Sequence, residues 1–307
     1  MKLLFFTTSG EDYLQDQVLI GLREIYGANV IDYPKKGEIY ENFEKPNKEM
    51  YGCGFTIWKI MPDIYIDRQN IIERVKENEF DIIIFGSIRR QKMFFTKFHL
   101  SNIFNRIHTK ICFLDGQDNS KLFIPAFFYG KYFKRELMNR FGLPFIRQIN
   151  FSIPDKKIRQ QTVQKKIKFA RHVQCDEAYK IKEIREHCQP RYAFTNEESY
   201  YDDIASAEYA ITMKKGGWEC MRHYEIAANG TVPCFYKLDQ KPRLCAPHGL
   251  VNMKNVVAFN TANELEEKIN HIKLHNLYPE LQRNAIEWAK NNSCKQVAKR
   301  IVDQVQA

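Results

Sequence analysis

The chain of 307 residues lacks several patterns that would assign it to a common class of protein. Its 8 cysteines include no C-x-x-C pair, and its 8 histidines show no zinc-ligand spacing. We therefore expect free thiols in a reducing compartment. No apolar run approaches the length of a membrane span, and the first one is too short for a signal peptide. These absences predict a cytoplasmic protein, which could still contact a membrane peripherally.

Acidic residues are scarce in the middle of the chain. The formal net charge is +10, and residues 121–172 hold thirteen Lys or Arg against only two Asp or Glu. Aromatic residues are interleaved with the basic ones. A surface of this charge attracts nucleic acid or an anionic membrane, and we expect Lys131, Lys134 and Arg135 to contribute to it. The alternative is a solvated basic face without a ligand.

Strands alternate with helices along the whole sequence, a pattern typical of parallel sheets covered on both faces. The first half predicts strands at Lys2–Thr8, Asn29–Tyr33, Phe80–Ile88 and Lys110–Leu114, helices at Asp12–Tyr26, Asp67–Asn78 and about 94–106, and a functional loop at Lys35–Pro62. The second half predicts strands at 191–195, 209–213, 232–235 and 255–259, and helices at 177–188, 199–208, 262–273, 278–291 and 294–305. A hinge at Pro144–Pro154 predicts two domains, 1–150 and 151–307.

The stretch from Lys214 to Phe235 is the most informative part of the chain. It predicts a strand end, a turn at Gly216 and Gly217, a helix over Trp218–Ala228 and a returning strand. Glycines let a backbone approach a ligand closely, and a helix N-terminus favours an anion such as a diphosphate. On this pattern alone, an ordinary strand–turn–helix connection is an equal alternative.

Charged side chains in the same stretch could contact such an anion. Arg222 lies one turn into the predicted helix and can present a planar pair of donors. Glu225 follows three residues later, within reach of sugar hydroxyls. Lys214 and Lys215 begin the turn, while His223 could orient a ligand or pack inside the protein. The alternative is a surface ion pair between Arg222 and Glu225.

The run RHYEIAANGTVP, from Arg222 to Pro233, resembles the donor-site signature of GT-B glycosyltransferases, and among them the spore-protein (CgeB-like) group. This resemblance implies an α/β fold of two Rossmann-like domains facing a central cleft, with the acceptor domain first and the nucleotide-sugar domain second. It implies that Glu225 binds the nucleotide-sugar and that Arg222 contacts its diphosphate. Many retaining members have a second acid where this chain has Gly217, so retaining chemistry is not supported.

Transfer with inversion requires a base that deprotonates the acceptor hydroxyl. Because parallel sheets bind ligands at the carboxyl ends of strands, Asp12 is the first candidate and Asp115 the second. Each could instead be a turn or helix-cap residue. The sequence has no D-x-D pair, and GT-B enzymes generally stabilise the leaving diphosphate without a metal. We therefore expect no metal and no cofactor besides the nucleotide-sugar co-substrate.

These features predict a metal-independent glycosyltransferase, transferring a hexose or a pentose. One acceptor class is a saccharide or lipid-linked glycan at the membrane face, with segment 121–172 holding anionic headgroups. Another is DNA with a hydroxylated base, as in phage enzymes of this fold. A third possibility is a non-catalytic module that binds nucleotides or polyanions.

Overall fold

Two parallel β-sheets organise the chain, which the computed structural model describes over residues 1–139, 143–161, 163–191 and 194–307. Each sheet lies in its own unit. The first unit comprises residues 1–154, 244–246 and 294–307, and the second comprises residues 155–243 and 247–293. The alternating pattern of the sequence thus corresponds to two α/β units.

The first sheet has six strands in the order β2-β1-β3-β4-β5-β6, all parallel. They are β1 Leu3–Phe6, β2 Val30–Tyr33, β3 Ile82–Phe85, β4 Lys110–Asp115, β5 Lys131–Lys134 and β6 Ile146–Gln148. The first four confirm the predicted strands. The sequence pattern missed β5 and β6 because their charged residues interrupt the apolar runs on which the prediction depended.

Four helices belong to the first unit: α1 Tyr13–Tyr26, α2 Ile71–Lys76, α3 Lys92–Leu100 and, at the C-terminus, α9 Cys294–Gln306. The predicted helices at 67–78 and 94–106 are shorter in the structure. Asn70 has a left-handed φ of 48° before α2, and Asn102 has a φ of 53° after α3. Both conformations lie outside the helical region, so the helices cannot extend through them.

Helix α9 packs along α1, which is why residues 294–307 belong to the first unit and not to the predicted second domain. The two backbones approach closely at Gly21. A Cβ atom at Gly21 would lie 2.0 Å from the carbonyl oxygen of Cys294, so no larger residue fits there without a backbone shift. A single glycine therefore permits the contact that joins the two ends of the chain.

The second sheet has the order β10-β9-β8-β7, again parallel. Its strands are β7 Ile167–Phe169, β8 Ala207–Met213, β9 Val232–Tyr236 and β10 Val257–Phe259, and its helices are α4 Lys182–His187, α5 Glu197–Ser206, α6 Met221–Ala228, α7 Ala262–Leu274 and α8 Tyr278–Asn291. The predicted helix at 177–188 is interrupted because Ile181 is extended. The predicted strand at 191–195 lies partly outside the described residues.

The loop predicted at Lys35–Pro62 contains only short 3-10 helices, yet it is well packed. Tyr40 and Ile57 are fully buried, and Trp58 is 2% exposed. The loop therefore forms part of the core of the first unit. Among the described residues, none of the helices combines the length and the apolar character that crossing a membrane requires.

Candidate functional site

The strand order of the second sheet reverses beside β7. After β7, His172 forms a parallel bridge with Gln189, so the chain first returns on the side of β7 away from β8. Hydrogen bonds from Val173 N to Gln189 O at 3.1 Å and from Gln189 N to Arg171 O at 2.8 Å hold this bridge. The next strand, β8, pairs on the opposite side of β7. Ligands bind outside the carboxyl ends of parallel strands at such a reversal.

A small pocket lies at this reversal. Its lining comes from the residues after β7, the end of β8 and helix α6: His172, Gln174, Cys175, Ile211, Thr212, Met213, Lys215 and Arg222. Lys215 Nζ donates to the side-chain oxygen of Gln174 at 2.7 Å. Partial desolvation lowers the pKa of Lys215, and the charge of Arg222 acts in the same direction.

Burial lowers the pKa of His172 to about 4, and the nearby Arg222 charge contributes to the shift. His172 is therefore uncharged at neutral pH, and its Nδ1 lies 3.3 Å from the carbonyl oxygen of Arg191. The pocket thus combines two basic side chains, Lys215 and Arg222, with a neutral imidazole. Such an arrangement favours an anionic ligand.

The predicted glycine turn connects β8 to α6. Lys215 N donates to Gly217 O at 2.9 Å, with Gly217 buried and Gly216 exposed. Helix α6 begins at Met221, three residues later than predicted, because Cys220 is still extended at φ −146° and ψ 161°. Its N-terminus carries the partial positive charge of the helix dipole.

Arg222 joins both strand ends to α6. Its Nη2 donates to His172 O at 2.5 Å, and its Nε donates to Ile211 O at 3.3 Å. Its Nη1 donates to the Tyr200 hydroxyl at 3.3 Å. That hydroxyl donates in turn to Glu225 Oε2 at 2.6 Å. Because Glu225 is only 7% exposed, the alternative of an ordinary surface ion pair does not describe this arrangement.

Neither Tyr200 nor His172 was predicted from the sequence. Tyr200 lies on α5, 25 residues from Glu225 in the sequence. His172 follows β7, a strand that the pattern did not predict. No local signal in the sequence pairs either residue with the donor motif, since both contacts depend on the order of strands in the sheet.

Of the predicted donor residues, Arg222 and Lys215 line this pocket, whereas Gly216, Gly217, Glu225, His223 and Lys214 are not among its lining residues. His223 is fully buried, with Nδ1 2.8 Å from Thr212 Oγ1 and Nε2 3.2 Å from Trp218 O. Its ring stacks on Phe235 at a centroid distance of 4.6 Å. Lys214 is exposed, with Nζ 5.0 Å from the centroid of the Trp218 ring. These contacts give His223 a packing role.

Asp12 lies at the strand-order reversal of the first sheet, between β1 and β3. It caps α1 by accepting a hydrogen bond from Gln15 N at 3.1 Å. Ser87, just after β3, donates its hydroxyl to the other carboxylate oxygen at 2.9 Å. Arg90 Nε lies 3.7 Å from that oxygen, and the Asp12 side chain is 10% exposed. Asp12 therefore caps α1, and part of its side chain is still exposed to solvent.

A buried ion network supports the loop that carries Asp12. Lys36 is 1% exposed, and its Nζ lies 3.4 Å from Asp16 and 3.3 Å from Glu38. Trp58 Nε1 donates to Asp16 at 2.9 Å. Burial raises the pKa of Asp16 to about 6; the Lys36 charge opposes this shift and the Asp12 carboxylate adds to it. None of these supporting residues was predicted from the sequence.

No side-chain surface is exposed on Asp115, Lys134 or Arg135. This burial contradicts the prediction of Asp115 as a base and the prediction of Lys134 and Arg135 as parts of a polyanion-binding surface. Lys134 Nζ lies 2.9 Å from the Asp115 carboxylate, which also accepts from the Tyr132 hydroxyl at 2.5 Å. Arg135 Nη1 donates to Glu136 at 3.1 Å. An acceptor hydroxyl cannot reach Asp115 in this conformation, and Lys134 and Arg135 cannot contribute to a polyanion-binding surface.

Lys131 also differs from its predicted role. It is half-buried at the start of β5, and its Nζ donates to the carbonyl oxygen of Gln304 on α9. The three residues chosen for an acceptor surface are therefore used to assemble the first unit. Charge counted along the sequence did not distinguish them from residues that face water.

Comparison with solved structures identifies the fold. HepE from Anabaena in complex with UDP matches with a TM-score of 0.58 at 9% identity, covering 100% of both chains. A glycosyltransferase from Rickettsia africae matches with a TM-score of 0.59 at 10% identity, covering 99% of this chain and 97% of that one. Sucrose-phosphate synthase from Thermosynechococcus elongatus matches with a TM-score of 0.55 at 9% identity, covering 100% and 98%.

These likenesses confirm the predicted fold class, since the chain has the α/β GT-B fold of glycosyltransferases. HepE has also been solved in complex with UDP-glucose. No protein-family model and no curated protein matches the sequence. Within the described part of the chain, no three His, Cys, Asp or Glu side chains are grouped to hold a metal ion.

Proposed function

We propose that the chain is an enzyme that binds a nucleotide-sugar in the second unit and transfers the sugar to an acceptor hydroxyl. The observation that carries this proposal is the meeting of Arg222, Lys215 and the N-terminus of α6 at the carboxyl ends of β7 and β8. A diphosphate is the group that such a site binds best. The UDP and UDP-glucose complexes of HepE support a nucleotide-sugar, with UDP-glucose as the first candidate.

The leaving nucleoside diphosphate gains negative charge as the bond to the sugar breaks. Arg222 is held by two main-chain carbonyls, so its charge is in place before the reaction begins. Lys215 and the dipole of α6 add positive potential at the same position. These groups can stabilise the diphosphate without a divalent cation, and we propose a metal-independent reaction.

Glu225 is the proposed sugar-binding acid. Its carboxylate lies one helical turn beyond Arg222 and is oriented by the hydroxyl of Tyr200. Hydrogen bonds from sugar hydroxyls to a carboxylate are charge-assisted and directional. The resemblance of the Arg222–Pro233 run to the CgeB-like signature supports this role, and we propose that the chain belongs to that group.

We propose Asp12 as the base that deprotonates the acceptor hydroxyl. Its carboxylate lies at the strand-order reversal of the first sheet and keeps some exposed surface, whereas Asp115 has none. Ser87 and Arg90 hold it in one orientation. A carboxylate in this position can accept the proton that the hydroxyl loses.

The proposed acceptor is a saccharide or a lipid-linked glycan at the cytoplasmic face of a membrane. The eight free cysteines fit a reducing compartment. Exposed apolar and basic side chains on α3 and on the 3-10 helix Ile124–Phe128 support an acceptor at a membrane. Modified DNA, the other acceptor class, would require a phosphate-binding surface, and the residues expected to supply one are buried or bonded within the first unit.

Replacing Glu225 with Ala should weaken the binding of UDP-glucose, measured by calorimetry, by about tenfold to a hundredfold. This range corresponds to the loss of about 1.5–3 kcal/mol from hydrogen bonds to a charged group. Tyr200→Phe should have a smaller effect, because the carboxylate remains. Glu266→Ala, at an exposed position on α7, is the control for a lost charge. Wild-type affinity in Glu225→Ala would remove this residue from the site.

Replacing Asp12 with Asn should reduce kcat by about a hundredfold or more, as expected for the loss of a general base. Because Asn also caps helices well, the melting temperature should stay close to that of the wild type. Asp12→Ala should reduce kcat and also cost about 1 kcal/mol of stability through the lost cap. An Asp12→Asn protein with normal turnover would limit Asp12 to capping.

Sugar transfer should persist after EDTA treatment and dialysis, because the cations of the site are side chains. Initial rates measured before chelation, after it and after addition of Mg²⁺ or Mn²⁺ provide the comparison. Loss of activity that either metal restores would show that the diphosphate depends on a metal ion.

A further inference from the structure

Helix α3 presents an apolar stripe to solvent. Met93 is 88% exposed and Leu100 is 78% exposed. Residues seven apart lie on the same face of a helix, and the exposed Lys97 lies between these two. On the opposite face, Phe95 and Phe98 are 3% and 1% exposed and anchor the helix to the core of the first unit. The exposed residues are therefore not needed to hold α3 in place.

A second apolar element lies beside α3. The 3-10 helix Ile124–Phe128 is flanked by two aromatic rings that contact α3. Phe123 packs edge-on against Phe95 at 5.1 Å, and the Tyr129 hydroxyl lies 2.6 Å from His99 Nδ1. These contacts, with Lys92 Nζ 5.8 Å from the centroid of the Phe123 ring, place the 3-10 helix beside α3. Ile124 is 61% exposed and Phe128 is 80% exposed.

Positive charge surrounds these apolar side chains. From Ile82 to Leu114 the sequence has six Lys or Arg and no Asp or Glu. Lys92, Lys97 and Lys121 are exposed, and none forms an ion pair with a described residue. We refer to Met93, Lys97, Leu100, Ile124 and Phe128, with Lys92 and Lys121 at their edges, as the α3 surface.

We propose that the α3 surface docks the protein on an anionic lipid bilayer. Aliphatic and aromatic side chains surrounded by lysines match the boundary between acyl chains and anionic headgroups. Nucleic acid would use the lysines, but its phosphates give no favourable contact to Met93, Leu100 or Ile124. Large apolar side chains exposed together on neighbouring elements are typical of an interaction site, whereas apolar residues exposed singly are ordinary.

The α3 surface, which includes Lys121, Ile124 and Phe128 from segment 121–172, replaces Lys131, Lys134 and Arg135 as the proposed anion-binding contact. The docking itself does not depend on the proposed function; only the link between the surface and a membrane acceptor rests on it. Donor binding occurs in the second unit, and vesicle binding is measured without donor. Failure of either proposal can therefore be distinguished from failure of the other.

The test is co-sedimentation of the full chain with phosphatidylcholine vesicles that contain or lack phosphatidylglycerol. The protein should bind only the anionic vesicles, and binding should weaken at high salt. Leu100→Ser should lower the partition coefficient about tenfold, because the leucine side chain is no longer buried in lipid. Lys97→Glu should lower it about fivefold or more, since each lysine near an anionic surface contributes roughly that factor.

Helix α7 supplies matched controls. Leu274 is 80% exposed and adjoins the exposed Lys273, so Leu274→Ser and Lys273→Glu repeat the same chemistry elsewhere. These variants should bind vesicles as the wild type does. All four variants should bind UDP-glucose with unchanged affinity.

Three results would overturn the docking proposal. The first is equal binding to neutral and anionic vesicles, or equal losses in the α3 and α7 variants. The second is absence of vesicle binding together with duplex DNA binding that Lys97→Glu abolishes, which would make the surface a nucleic-acid contact. The third is self-association in sedimentation velocity that Leu100→Ser abolishes without vesicle binding, which would make it an interface between copies of the chain.

Discussion

The hydrogen bonds of Arg222 are the interaction on which the candidate donor site depends. One guanidinium contacts the carbonyl after β7, a carbonyl of β8 and the hydroxyl of Tyr200 on α5. A planar group with five donors can connect three elements in this way, whereas a lysine could not. The same contacts fix a positive charge at the strand ends and, through Tyr200, orient Glu225. Arg222 therefore both connects the elements of this site and supplies positive charge to it.

The distribution of the other charges shows why net charge is a poor guide to a surface. Lys134 and Arg135 are buried against Asp115 and Glu136, and Lys36 is buried beside Asp16. Removing one member of such a pair leaves an uncompensated buried charge, which is far more costly than losing an exposed ion pair. These buried cations thus stabilise the first unit, and the exposed Lys92 and Lys97 of α3 lie outside residues 121–172, the segment with the highest basic count.

Local patterns in the sequence predicted the alternating α/β architecture and helix α6, and the resemblance of the Arg222–Pro233 run predicted the GT-B fold. The apolar runs identified β1, β3 and β4, and the glycine turn with Gly230 delimited α6 to within three residues. The role of Tyr200 could not be predicted, because its contact with Glu225 depends on where α5 packs. The burial of Asp115 and Lys134 could not be predicted either, because it follows from the pairing of β4 with β5, a strand too polar to be recognised.

The central claim is that the second unit binds a nucleotide-sugar, and thermal unfolding with a panel of these compounds tests it most directly. A ligand at a hundred times its Kd adds about 2.7 kcal/mol to the free energy of unfolding, and the melting temperature rises accordingly. The account predicts such a rise with at least one nucleotide-sugar, UDP-glucose being the first to try, and a smaller rise in Glu225→Ala. Unchanged melting with every member of the panel at millimolar concentration would contradict it.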